Sequence, residues 1–146
     1  MCTRGAQLIL FCDTSALVKL YVAAAGSDEL KARLLEAPAV AVCRIAWAEA
    51  HAAFARRARE VPEDAQVLEL AKAAVAADWP QLLVVDINQA LVERAGDYAD
   101  TFALRGYDSI QLAAAFETAR VSGSPIYFAC FDARLNKAAK VLGLLS

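Results

Sequence analysis

Five acidic residues stand where a carboxylate can do more than solubilise a surface. Asp13 closes the apolar run Leu8 to Cys12 and is followed by two hydroxyls, Thr14 and Ser15. Asp86 closes Leu82 to Val85, and Asp132 closes Ile126 to Phe131. Asp108 opens a helical pattern, and Glu49 lies inside one. A carboxylate at the carboxyl end of a buried strand sits where open α/β sheets place their ligands. Carboxylates gathered there need protons or cations to neutralise them, and all-oxygen ligation suits hard divalent ions. The same residues have a plainer use, since an Asp between strand and helix is a good N-cap. Asp108 and Asp86 each have a glutamine three residues on (Gln111 and Gln89), the spacing of a capping box. Local pattern leaves cap and site open for all four aspartates.

Glu49 is less easily excused. At 100° per residue its helical neighbours are Ile45, Ala46, Ala52 and Ala53, none of them cationic, so its own helix supplies no salt bridge. Trp47, Phe54 and Ala58 make the opposite face apolar too. A glutamate in such company needs a partner from elsewhere in the fold, or a metal. His51 falls on the Trp47 side and reads as structural.

The elements that must position these groups alternate along the chain. Strands are expected at Leu8 to Cys12, Ala39 to Cys43, Leu82 to Val85 and Ile126 to Phe131, with a short edge strand at Gly143 to Leu145. Between them lie a helix through Ala16, Leu17, Leu20 and Tyr21, a turn at Gly26 to Asp28, and a short helix over Glu29 to Leu35. A long helix covers Ile45 to Glu60. Pro62 suits the first position of the next, which puts Val67, Leu70, Ala71, Ala74 and Val75 on one face and stops at Trp79-Pro80. A helix from Asn88 is expected to break near Gly96 and resume over Tyr98 to Leu104. Another runs from the Asp108 capping box to Val121, and a last one from Ala133 to Leu142. Strands alternating with helices mean βαβ units, hence a parallel sheet covered on both faces.

Bulk composition narrows the class. The 146 residues read as a single domain, 1–146, large enough for a real core. With 59 % hydrophobic and 22 % charged residues, long disorder is excluded. No apolar run is long enough to span a bilayer, and Leu8 to Cys12 is too short for a signal peptide, so a soluble cytoplasmic protein is expected. Cys2, Cys12, Cys43 and Cys130 make no C-x-x-C pair and, with His51, no zinc spacing, so reduced thiols are expected. A net charge of −2 argues against a protein that coats nucleic acid, though not against an enzyme that holds a phosphodiester through bound cations. Nucleotide-binding folds fail for want of a G-x-G-x-x-G or Walker loop. A receiver domain would need an acidic pair after the first strand and a lysine after the last, and neither is present.

Four segments, FCDTSALVKLY (11–21), IAWAEAHAAFARR (45–57), LRGYDSIQLAAA (104–115) and FDARLNKAAKVLGL (131–144), together resemble the signature blocks of PIN-domain nucleases, in order and at family-like spacing. The likeness is strongest to the VapC-like toxins of type II VapBC toxin–antitoxin systems. It implies a three-layer αβα sandwich around a mostly parallel sheet of four or five strands, order 3-2-1-4-5. It also implies that the acids of the four blocks, Asp13, Glu49, Asp108 and Asp132, form the catalytic, metal-binding set, and that Asp86, outside the blocks, is a cap at the sheet edge. Two carboxylates about 5 Å apart repel by roughly 3 kcal/mol at an effective dielectric near 20, so such a cluster calls for one or two Mg²⁺ or Mn²⁺ ions.

The function so implied is metal-dependent endoribonuclease activity, leaving 5′-phosphate and 3′-hydroxyl ends. Asp13 and Asp108 would be core ligands, Glu49 would complete the sphere or orient water, and Asp132 would hold a second ion or a water-bridged position. Ser15, or else Thr14, would donate to a ligand carboxylate from behind. Phosphate contacts are expected from Arg44, Arg134 and Lys137, while Arg56, Arg57 and Arg59 read better as a solvated helix face. The family also implies an RNA substrate, a VapB-like antitoxin and a homodimer. The sequence departs from the family pattern in its extra N-terminal residues and in Gln111, which stands where a histidine is frequent. The competing reading is a non-catalytic PIN-like module that binds RNA or protein.

Overall fold

The computed structural model describes residues 7–146, so Cys2 and the other residues before Gln7 lie outside it. Four strands, β1 (Ile9–Cys12), β2 (Ala39–Cys43), β3 (Leu83–Val85) and β4 (Ile126–Ala129), form one all-parallel sheet in the order β3-β2-β1-β4. Seven α-helices among the described residues cover it: α1 (Thr14–Tyr21), α2 (Ser27–Glu36), α3 (Ala46–Glu60), α4 (Ala65–Asp78), α5 (Gln89–Phe102), α6 (Gly106–Ser122) and α7 (Ala133–Val141).

β1 is the spine because it pairs on both sides and all four of its residues are buried. Successive side chains of a strand point to opposite faces, so a doubly covered strand must be apolar throughout. Ile9 and Phe11 join the core layer built with Leu91 and Ala95 of α5, Leu112 to Ala115 of α6, and Leu135 of α7. Leu10 and Cys12 join the other layer, with Leu17 of α1, Leu30 of α2, Ala50 and Phe54 of α3, and Leu68 and Val75 of α4. The result is the expected αβα sandwich.

Several local expectations are corrected. No break occurs at Gly96: α5 is continuous. A Cβ at Gly96 would meet nothing within 4 Å, so the glycine costs only its propensity, about 1 kcal/mol, and the packing of Leu91 and Ala95 before it and of Tyr98 and Phe102 after it outweighs that. Neither capping box forms. α6 starts two residues before Asp108, with Arg105 at the cap position, and Gln111 turns its amide elsewhere. Asp86 does not cap α5; Asn88 does, accepting from Leu91 N at 2.9 Å.

On α4 the buried residues are Leu68, Ala71 and Val75, while Val67 and Leu70 are exposed. The buried stripe is therefore rotated from the expected one, and a short 3-10 turn, Pro62–Asp64, precedes the helix. β4 ends at Ala129, two residues early, which leaves Cys130 and Phe131 to lead out of the sheet. The anticipated fifth strand is reduced to one bridge between Leu145 and Tyr127.

Candidate active site

All four acids singled out from the signature blocks lie at or near the N-terminus of a helix, where unpaired backbone N–H groups favour negative charge. Asp13 is the N-cap of α1 and Asp132 the N-cap of α7, while Glu49 and Asp108 sit in the first turns of α3 and α6. Parallel connections bring these helix starts to the carboxyl end of the sheet. There Asp13, Glu49, Asp108 and Asp132 line one cleft of about 350 Å³, together with Thr14, Ser15, Arg105, Tyr107, Gln111 and Phe131. Asp13 and Asp132 are each a helix cap that also lines the cleft.

Asp13 is only 7 % exposed. Its Oδ1 accepts from Ala16 N at 2.9 Å and from Ser15 Oγ at 2.8 Å. Among the described residues no hydrogen bond reaches its Oδ2. Burial pushes the Asp13 carboxyl up to about 6; the bonds from Ala16 and Ser15 oppose that rise, and the charges of Asp108 and Glu49 add to it. Asp108 is also raised, first by burial and then by Asp132, against the lowering effect of Arg105. Arg105 approaches Asp108 at 3.7 Å but is itself largely in water, so it neutralises little.

Glu49 finds from other helices the partners its own helix lacks. Thr14 Oγ1 donates to its Oε1 at 2.7 Å and Gln111 Nε2 donates to the same oxygen at 3.1 Å. Asp132 Oδ1 accepts from Leu135 N at 2.9 Å. Asp13, Glu49 and Asp132 thus each give one oxygen to the protein's own donors.

The donor set is all carboxylate, which matches Mg²⁺ or Mn²⁺ and not zinc. Among the described residues no three His, Cys, Asp or Glu side chains crowd closely enough to hold one ion by themselves. Magnesium does not require that, since it keeps several waters and takes one or two carboxylates. The residues fit such an ion by chemistry.

The phosphate-contact expectations fare differently. Arg44, just after β2, pairs with Asp86, just after the edge strand β3, and does not line the cleft. Arg134 donates to the carbonyl of Ala103 at 3.2 Å, and Lys137 is exposed one turn further along α7; neither lines the cleft. Among the described residues the cation that does is Arg105, which sequence reasoning passed over along with Tyr107 and Phe131. Their signal was adjacency: Tyr107 and Phe131 immediately precede Asp108 and Asp132. Arg56 and Arg57 line a second groove of about 770 Å³ that shares Thr14, Ser15, Glu49 and Arg105 with the acidic cleft. His51 stacks on Trp47 with its Nδ1 2.7 Å from the Trp47 carbonyl, a structural role as expected.

Comparison with known proteins bears on the family and the fold. The PIN domain family profile matches residues 10–141. Ribonuclease VapC45 and Ribonuclease VapC49, from two strains of Mycobacterium tuberculosis, are each 32 % identical over 140 residues, covering 92 % of this chain and 92 % of each relative. Among solved structures, the M. tuberculosis VapC20 toxin, described as cleaving the sarcin-ricin loop, superposes with a TM-score of 0.61 at 19 % identity, covering 88 % of this chain and 94 % of that one. A chain of a toxin–antitoxin complex from Klebsiella pneumoniae gives 0.55 at 19 % identity, covering 81 % and 83 %. The structural likenesses show the fold; the profile, spanning all but the ends of the sequence, shows the family. This chain belongs to the PIN-domain family.

Proposed function

We propose that the protein is a Mg²⁺- or Mn²⁺-dependent endoribonuclease and the toxin of a VapBC-type pair. The observation that carries the reading is the convergence of Asp13, Glu49, Asp108 and Asp132, from four separate helix starts, on one cleft. The names of the VapC ribonuclease relatives support RNA as the substrate.

One or two bound ions would supply Lewis-acid charge and a water of lowered pKa for in-line attack on the phosphodiester. The chain's own residues do the rest. Asp13 and Asp108 would hold the ion, Glu49 would complete the sphere or orient the attacking water, and Asp132 would serve a second ion position. Ser15 fixes the Asp13 carboxylate from behind and Thr14 fixes Glu49, so each enters the reaction already aimed. Arg105, beside Asp108, is the better placed of the cations for a substrate phosphate.

The adjoining groove has an apolar floor including Val18, Phe54 and Leu68 and a charged rim of Lys19, Arg56, Arg57 and Glu60, in which Arg56 pairs with Glu60 and Arg57 with Asp64. It suits an amphipathic antitoxin segment, and the toxin–antitoxin assembly among the fold neighbours supports a partner of that kind. A homodimer in the cytoplasm completes the proposal; among the described residues no helix is long and apolar enough to cross a membrane.

Labelled structured RNAs incubated with Mg²⁺, Mn²⁺ or EDTA test the reading. Cleavage is expected with either ion, none with EDTA, and none with Asp13→Asn. Cleavage that persists in EDTA, or that is undiminished in Asp13→Asn, overturns it.

A further inference from the structure

Gln111 is 3 % exposed, in the middle of the apolar stretch of α6 that packs under the sheet. Its amide nitrogen donates to Glu49 Oε1 at 3.1 Å and lies 3.2 Å from Thr14 Oγ1, while the Thr14 hydroxyl donates to the same Glu49 oxygen at 2.7 Å. Three side chains from α1, α3 and α6 form a closed triangle in which both amide hydrogens and the hydroxyl hydrogen are spoken for. The carbonyl oxygen of Gln111 is buried with no partner among the described residues.

That orphan oxygen is informative. Turning the amide over does not cure it, because the oxygen would then face a carboxylate and a hydroxyl whose proton already goes to Glu49. A methionine of similar volume would fill the same space with no unsatisfied group. Packing alone therefore does not account for a glutamine here; the amide N–H on Glu49 does.

We infer that Gln111 is a positioning residue which, with Thr14, commits one oxygen of Glu49 to the protein and leaves the other for a divalent ion or its water. Asp13 is handled in the same way by Ser15 and the backbone of Ala16. The inference rests on the nuclease reading above. Donors standing behind metal ligands in this way typically carry 10- to 100-fold in metal affinity.

The test uses the full chain and Mn²⁺ alone, with free Mn²⁺ followed by electron paramagnetic resonance and thermal unfolding measured in parallel. Gln111→Met keeps the volume and loses the donor; Thr14→Val keeps the shape and loses the hydroxyl; Asp13→Asn is the ligand control. Each of the first two should weaken Mn²⁺ binding roughly tenfold, and Gln111→Met should melt no lower than the parent when metal-free. If both bind Mn²⁺ within about twofold of the parent while Asp13→Asn loses binding, the clamp is wrong and the nuclease reading stands. If the parent binds no Mn²⁺, or Asp13→Asn binds as well as the parent, the nuclease reading falls and takes the clamp with it. Should Gln111→Met fail to fold, Gln111→Leu, which also lacks the donor, takes its place in the same comparison.

Discussion

Asp13 and Asp86 begin as near twins. Each ends a short apolar parallel strand, and each precedes a helix. Their fates diverge because β1 is central and β3 is an edge. Around Asp13, strands on both sides and helix α1 exclude water, and two donors hold Oδ1. Asp86 lies in water with its side chain 70 % exposed, paired to Arg44, and the capping task falls to Asn88 two residues on. A strand-end carboxylate becomes chemically interesting through its place in the sheet order and the company that order brings.

The largest expected contrast is in activity. Asp13→Asn should lower RNA cleavage by on the order of 100-fold or more, and Asp86→Asn should change it by less than about threefold. Equal losses from the two would erase the distinction between centre and edge.

The next contrast is in stability against pH. The Asp13 carboxyl is raised in the folded, metal-free protein, so between its ordinary value and about 6 the unfolded chain ionises first and binds fewer protons. The penalty is absent below about pH 4, grows as pH rises, and is complete above about pH 6, reaching roughly 3 kcal/mol by linkage. Urea unfolding of the metal-free chain should therefore show stability falling over that window. Asp13→Asn should reduce the slope, leaving the part due to the raised Asp108 carboxyl, and stabilise the chain at neutral pH; Asp86→Asn should leave the slope intact.

A smaller effect is expected at the lip of the cleft. Gly26 has φ +89°, and a Cβ there would lie 2.6 Å from Cε1 of the Phe131 ring. Gly26→Ala should destabilise by about 1–2 kcal/mol in chemical denaturation and displace Phe131, next to Asp132. The smallest contrast separates the true cap from the apparent one. Asn88→Ala should cost about 1 kcal/mol, whereas Asp86→Ala, which loses only an exposed ion pair, should cost between 0 and about 1 kcal/mol. A larger loss from Asp86→Ala in the same denaturation series would restore it as a cap.

Legibility followed the range of the interactions involved. The strand Leu8 to Cys12 could be read because burial on both faces leaves no room for a polar residue, and that requirement is written residue by residue. Glu49 could be flagged because its own helix offers it nothing. The break expected at Gly96 failed because propensity is a term of about 1 kcal/mol, and the packing of Leu91 and Ala95 exceeds it. The capping boxes failed for related reasons: Gln111 had a better offer from Glu49 and Thr14, 62 and 97 residues away, and Asp86 pairs with Arg44 while Asn88 caps α5.

By itself, the sequence determined the alternation of strand and helix, the apolar β1, and which acids sit at element junctions, since these depend on neighbours within a few positions. Family likeness then picked four acids from five. Only the tertiary structure decided that Arg44 answers Asp86 and leaves the cleft, that Tyr107, Phe131 and Arg105 line it, and that Glu49 is held from two other helices. Those pairings depend on which helix starts a parallel sheet brings to one end. Distances across a fold are fixed by packing, which no local pattern encodes.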